Sequence, residues 1–164
     1  SSSLSQSLVE HAPFLAVNTQ VNAGNAAMHT ISKYARADYI SLTERELRLD
    51  CRDQKTDLRP LGCQTAARFH SEALAVTKGR QGACLCGSDG AFVVVPAFAS
   101  KAVDSVGSGD AFFAISSLAI RLGAPFEIAG FLGNVAGALA VQIIGNQKAI
   151  DKASLTKYIT SLLK

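Results

Sequence analysis

Val103-Asp104-Ser105-Val106-Gly107-Ser108-Gly109-Asp110 is the stretch whose residue types and spacing can do chemistry, and it runs straight into Ala111-Phe112-Phe113-Ala114. Two glycines, with no Cβ in the way, let the backbone fold tightly, so that successive N–H groups point into one space. The alanine-rich segment behind them reads as a buried helix. The first N–H groups of a helix have no intrahelical partner, and the helix dipole adds partial positive charge there. Such a corner holds an anion. Asp110 would repel that anion, so its presence points to a further role, that of taking a proton from a hydroxyl that attacks a bound phosphate. The same residues also read as an ordinary loop with an acid near a helix N-terminus.

Other stretches carry candidate chemistry. Thr43-Glu44-Arg45-Glu46 matches a capping box, with Glu46 three residues after the hydroxyl. Thr77-Lys78-Gly79-Arg80-Gln81-Gly82 lies between two apolar runs as a tight turn, and Gly79 and Gly82 are explained as turn residues alone. Asn18-Thr19-Gln20-Val21-Asn22-Ala23-Gly24-Asn25 is a polar loop that follows an apolar run. Open α/β sheets place ligands at such strand ends, although an amide-rich connector reads the same way. In Gly133-Asn134-Val135-Ala136-Gly137-Ala138-Leu139-Ala140 the small residues are spaced to let another helix, or a flat ring, come close. Asn134 is the polar member that would face a ligand.

The elements that must position these residues follow from periodicity. Leu4 to His11 reads as the end of a helix and Phe14–Val17 as a buried parallel strand. A helix from Gly24 or Asn25 through Arg36 would turn Ala27, Ile31 and Tyr34 inward. Asp38–Leu42 is the next strand, Thr43 caps the helix after it, and Asp50–Pro60 is a charged loop or short turn. A helix over Leu61–Glu72 leads to a strand at Ala73–Thr77. Ala83–Cys86 and Phe92–Val95 form a hairpin around Ser88-Asp89-Gly90. Pro96–Lys101 returns as an edge segment, Ser108–Leu122 is the helix behind the anion corner, and Pro125–Ile144 follows after the stop at Gly123. Ser154–Leu163 is a terminal amphipathic helix with Leu155, Ile159 and Leu162 inward. Strands alternating with helices imply an α/β fold, a three-layer αβα sandwich on a mostly parallel sheet.

Asp-x-x-Gly-x-Gly-Asp followed by Ala-Phe resembles the signature of the ribokinase-like (PfkB) carbohydrate kinases, with Ser105 and Ser108 replacing the usual Thr and Ala. That resemblance implies Asp110 as catalytic base and the amides of Gly107, Ser108 and Gly109 as anion hole, with Asp104 ordering the loop and its cation shell. It further implies that Thr77, Gly79 and Gly82 lie on the nucleotide side, that Asn134 sits beside the adenine, and that Glu46 helps organise magnesium and its waters. Thr43 departs from the usual Asn of that Asn-x-x-Glu pattern. The implied reaction is ATP-dependent phosphorylation of a sugar or sugar-phosphate hydroxyl, with Mg2+ and, as a further candidate, a monovalent cation. The likeness covers nearly the whole chain but only the C-terminal half of the family. Residues 13–164 would then be the ribokinase-like, Rossmann-like nucleotide domain of a truncated member, 1–12 a remnant of an upstream helix, and the missing N-terminal half a partner that supplies most sugar contacts. The region Leu15–Glu46 is most similar to the branch related to heptose-phosphate kinases, which includes forms fused to a nucleotidyltransferase.

Composition agrees with a buried core. The chain has 164 residues, 48% hydrophobic and 18% charged, with no Trp. A net charge of +3 without basic runs argues against a nucleic-acid partner. The most apolar stretch, Ala124 to Ile144, carries Glu127, Asn134 and Gln142, so no membrane span is expected. The N-terminus lacks Met, a basic start and an apolar segment, which reads as a processed or excised chain without a signal peptide. Cys51, Cys63, Cys84 and Cys86, like His11, His29 and His70, lack metal-site spacing, and free thiols fit a cytoplasmic protein. No G-x-G-x-x-G opens a helix after the first strand, and no Walker-A loop occurs. Two rival readings are a non-catalytic nucleotide-binding or regulatory module and a structural, dimerising domain in which the small-residue helix meets a second copy.

Overall fold

A computed structural model describes residues 2–21, 30–99, 106–143 and 149–164. The chain divides into two compact units, Ser1–Lys78 with Cys84–Val94, and Gly79–Ala83 with Val95–Lys164. The sheet has five strands in chain order: β1 (Ala16–Asn18), β2 (Tyr39–Thr43), β3 (Ala73–Thr77), β4 (Ala83–Cys86) and β5 (Phe92–Val95).

In the first unit β2 is paired in parallel with β1 on one side and β3 on the other, Val17 opposite Ile40 and Ile40 opposite Leu74. Strands covered on both faces read as continuous apolar runs. Tyr39–Leu42, Ala73–Val76 and all of β4 are accordingly buried. Between β4 and β5 the Gly87 N–H donates to Ala91 O at 2.9 Å, and the Ala91 N–H to Asp89 Oδ1 at 3.0 Å. So short a connection permits only antiparallel pairing, which makes the sheet mixed. The hairpin expected around Ser88-Asp89-Gly90 is present. Cys84 and Cys86 share one face of β4, and their mutual hydrogen bond together with burial pushes the Cys86 thiol well up, so it stays protonated.

Helices α1 (Ser2–His11), α2 (Glu44–Cys51) and α3 (Leu58–Arg68) belong to this unit. Arg36 ties down the end of α1, donating from Nε to Val9 O at 2.9 Å and from Nη2 to Ala12 O at 2.7 Å while pairing with Asp38 at 2.8 Å. A cation on the last carbonyls of a helix is the favourable sign.

Several expected boundaries are corrected here. Residues 24–29 of the helix expected through Arg36 lie outside the described residues. The next element is a single 3-10 turn, Ile31–Lys33, after which Tyr34 is extended. Ser32 explains the stop: its N–H and its hydroxyl both donate to Asp50 Oδ1, at 3.1 and 2.8 Å, which competes with a helical ladder. The expected loop Asp50–Pro60 instead contains the last turn of α2 and the first of α3, where Pro60 costs nothing because first-turn N–H groups are orphans anyway. Left-handed residues end α2 at Arg52 and follow α3 at His70, so α3 stops short of Glu72.

The second unit contains α4 (Ser108–Arg121), α5 (Phe126–Ala140) and α6 (Lys152–Leu162). Gly133 is where α4 and α5 come close. A Cβ there would lie 2.7 Å from two carbons of the buried Phe112 ring, so the flat ring that the small-residue stripe accommodates is the protein's own. Asp151 caps α6, accepting from Ser154 N–H at 2.8 Å. No residue of α6 is buried; Leu155 and Ile159 are half-covered and Leu162 is exposed, against the expected inward stripe. Tyr158 does the docking instead, donating its hydroxyl to Phe98 O at 2.8 Å. Among the described residues no helix is long and apolar enough to cross a membrane.

Asp50 yields a prediction. Burial opposes its ionisation, but hydrogen bonds from Ser32, Arg68 and Thr30 outweigh that and hold its pKa below the ordinary 3.8. A depressed carboxylate contributes stability that is complete above the ordinary value and lost as pH falls through the folded one. Asp50→Asn should therefore cost about 1–3 kcal/mol at neutral pH, discounted for the half-exposed Arg68, and flatten the acid side of the stability profile. Urea unfolding across the acid range checks this.

Candidate active site

The first unit gathers its candidates at the C-terminal ends of parallel strands. Thr43 and Thr77 end β2 and β3 as direct partners in the register. Thr43 is the N-cap of α2, and the capping box expected from the sequence is formed in both directions. Its hydroxyl accepts from Glu46 N–H at 3.2 Å and donates to Glu46 Oε2 at 2.8 Å. The Thr43 N–H donates to the same Oε2 at 2.8 Å. Glu46 Oε1 accepts from Val21 N–H at 3.0 Å, in the loop beyond β1. Thr77 donates its hydroxyl to Leu42 O at 3.4 Å, a long bond that keeps it on the β2 side. The turn after β3, which belongs to the second unit, carries Gly79 at φ +56° and Gly82 at φ +86°, closed by Gly82 N–H to Gly79 O at 3.0 Å.

The second unit contains the motif. Gly107, left-handed at φ +80°, is the N-cap of α4, so Ser108, Gly109 and Asp110 form its first turn. The helical ladder begins with Ala111 N–H to Gly107 O at 2.9 Å. Ser108 has a contact of its own besides. A Cβ on Gly109 would meet nothing within 4 Å among the described residues. Asp110 is exposed and has no recorded partner among the described residues. Where Gly137 of α5 faces Ser108, a Cβ would sit 3.4 Å from the Ser108 carbonyl, so the start of α4 lies against α5. Asp104 lies outside the described residues.

Asn134 is engaged within the protein. Its Nδ2 donates to Val95 O at 3.1 Å and to Pro96 O at 2.9 Å, and two carbonyls facing one amide fix which end is nitrogen. Gly82 meets the same segment: a Cβ there would lie 2.7 Å from Ala97 N and from the Pro96 carbonyl carbon. Phe98 continues the segment, edge-on to Phe131 with ring centres 5.2 Å apart. Residues 95–98 are thus held from three sides just before the stretch that leads to the motif. Sequence reasoning singled out Asn134 and Gly82, but neither Phe131 nor the segment that all three hold.

An ionised carboxylate offers about four acceptor positions. Among the described residues, hydrogen bonds from Val21 and Thr43 fill three at Glu46, leaving one on Oε1. That fits a contact to a water of hydrated magnesium and not a chelating ligand. No group of three or more His, Cys, Asp or Glu among the described residues is placed to hold a metal.

The fold is ribokinase-like. Solved structures of that fold superpose on it. A mutant of phosphofructokinase-2 from Escherichia coli gives a TM-score of 0.78 at 19% identity, covering 100% of this chain and 53% of that one. Ribokinase of Thermotoga maritima gives 0.76 at 19% identity, covering 94% and 52%. Residues 6–153 match the pfkB family of carbohydrate kinases, and the chain belongs to that family. Among curated relatives, the bifunctional protein HldE of Coxiella burnetii (strain Dugway 5J108-111) is 30% identical over 117 residues, 70% of this chain and 24% of that protein. HldE of Geobacter metallireducens is 40% identical over 73 residues, 44% of this chain and 15% of that protein. The expected likeness to the heptose-phosphate kinase-related branch is borne out by these relatives. The chain spans less than a quarter of their length and about half that of the solved kinases.

The two turn glycines should separate sharply on substitution. Gly82→Ala combines a left-handed residue with a clash against fixed backbone and should cost at least about 2 kcal/mol. A Cβ on Gly79 meets nothing within 4 Å, so Gly79→Ala should cost only the left-handed penalty of about 1 kcal/mol. Paired denaturation curves would show the difference.

Proposed function

We propose that this chain is the nucleotide- and base-bearing part of an ATP-dependent carbohydrate kinase. Asp110 carries the reading: an exposed carboxylate in the first turn of α4, directly beside the glycine-lined amides of residues 107–109. Its proposed role is general base. The acceptor hydroxyl gives its proton to Asp110, the oxygen forms a bond to the γ-phosphorus, and the bond to the bridging oxygen breaks as ADP leaves. The amides of Gly107, Ser108 and Gly109 hold the charge that develops on the transferred group.

Thr77, Gly79 and Gly82 are proposed to shape the surface along the nucleotide phosphates, with Asn134 fixing the backbone of residues 95–96 beside it. Magnesium, when bound, would offset phosphate charge, and Glu46 would meet one of its waters through the remaining position on Oε1. Asp104 is assigned to ordering the loop and a monovalent cation near it; phosphofructokinase-2 of Escherichia coli has been solved in complex with potassium. The acceptor is a sugar or sugar phosphate, bound in part by residues beyond this chain.

In the intact protein Asp110→Asn should lower turnover by about a hundredfold or more while leaving ATP affinity in place. Steady-state kinetics with a nucleotide titration of the same variant checks both halves. Unchanged turnover would overturn the assignment.

A further inference from the structure

We propose that Glu46 is a positioning residue that latches the loop beyond β1 to the strand ends where the nucleotide is placed, so that loop order and nucleotide affinity rise and fall together. The functional half of this inference rests on the kinase reading above; the latch itself does not.

Pairing between β1 and β2 ends at Asn18 opposite Ser41. Beyond that point Val21 N–H turns to the Glu46 carboxylate, 25 residues on in sequence. Thr19, at the start of that loop, is buried, and Asn18 and Gln20 on either side of it in sequence are exposed. Glu46 is itself only 9% exposed, and its other oxygen holds the Thr43 N–H and hydroxyl at the end of the neighbouring strand. One carboxylate therefore fixes the chain leaving β1 against the chain leaving β2. Hydrogen bonds to a charged acceptor are among the stronger ones, and losing this one would strand an N–H in a half-buried place. The helix cap needs only Oε2. The bond from Oε1 to Val21 adds nothing to capping, and it lies on the same oxygen that keeps a position for a ligand's donor. A group bound there meets an oxygen that the loop already holds in place, so an ordered loop favours its binding and its binding favours the loop.

Amide exchange of this chain, resolved at Val21, tests the latch without any nucleotide. Glu46→Gln can turn its N–H2 to either backbone donor, whereas Glu46→Ala removes the acceptor from both. In Glu46→Ala, Val21 exchange should quicken by about tenfold or more, whereas in Thr43→Val, which trims the cap and spares Oε1, it should stay near wild type. In the intact protein Glu46→Gln should raise KM for Mg·ATP by more than it lowers kcat. Val21→Pro removes the donor and leaves Glu46 and the cap whole; it should raise KM in the same way, and it serves if Glu46→Gln does not fold. Unchanged Val21 exchange in Glu46→Ala would overturn the latch. Quickened exchange with KM unmoved in Val21→Pro would overturn the coupling and leave Glu46 a helix cap. A wild-type protein without nucleotide turnover would overturn the kinase reading instead, with the exchange comparison still deciding the latch.

Discussion

The parallel pairing of β2 with both β1 and β3 constrains everything the first unit offers to chemistry. Parallel strands end together on one edge, so Thr43 and Thr77 become neighbours because Ile40 lies opposite Leu74 three residues earlier. The runs that allow this are apolar on both faces, and that burial fixes the register more firmly than any polar contact at the edge does. The Glu46 carboxylate then uses the alignment: it can hold two chain segments only because two adjacent strands deliver them to the same place.

The second unit works by omission of side-chain atoms. Missing Cβ atoms let the Phe112 ring lie against Gly133, Ser108 approach Gly137, and the backbone of residues 95–97 pass Gly82. Each close approach brings backbone near the start of α4 or the segment that leads toward it. Gly107 adds a left-handed cap, which starts the helix at Ser108 and leaves Asp110 in the first turn. There a carboxylate is favoured by the dipole, so the placement serves stability, and the proposed proton transfer rests on that same placement.

What was legible in the sequence was local. The capping box at Thr43 and Glu46, the hairpin around Asp89, and the start of α4 at Ser108 are each encoded within a few residues, and each is present. The contacts that escaped notice span long separations: Val21 to Glu46, Ser32 to Asp50, and Asn134 to Val95 and Pro96. Asp50–Pro60 looked like a loop because charge dominates its composition, yet Asp50 is drawn inward by Ser32 and Arg68, which its neighbours in sequence do not announce. Asn134 looked like a ligand contact because it is the polar residue on a small-residue helix; its two amide protons go to backbone carbonyls. The family signature did what composition could not, since the fold alone supports many activities.

Calorimetric titration of this 164-residue chain with Mg·ATP, with Mg·GTP as control and circular dichroism to verify folding, addresses the central claim most directly. A nucleotide site carried by these residues predicts saturable binding of Mg·ATP by the folded chain. A folded chain that takes up no Mg·ATP at millimolar concentrations would contradict it.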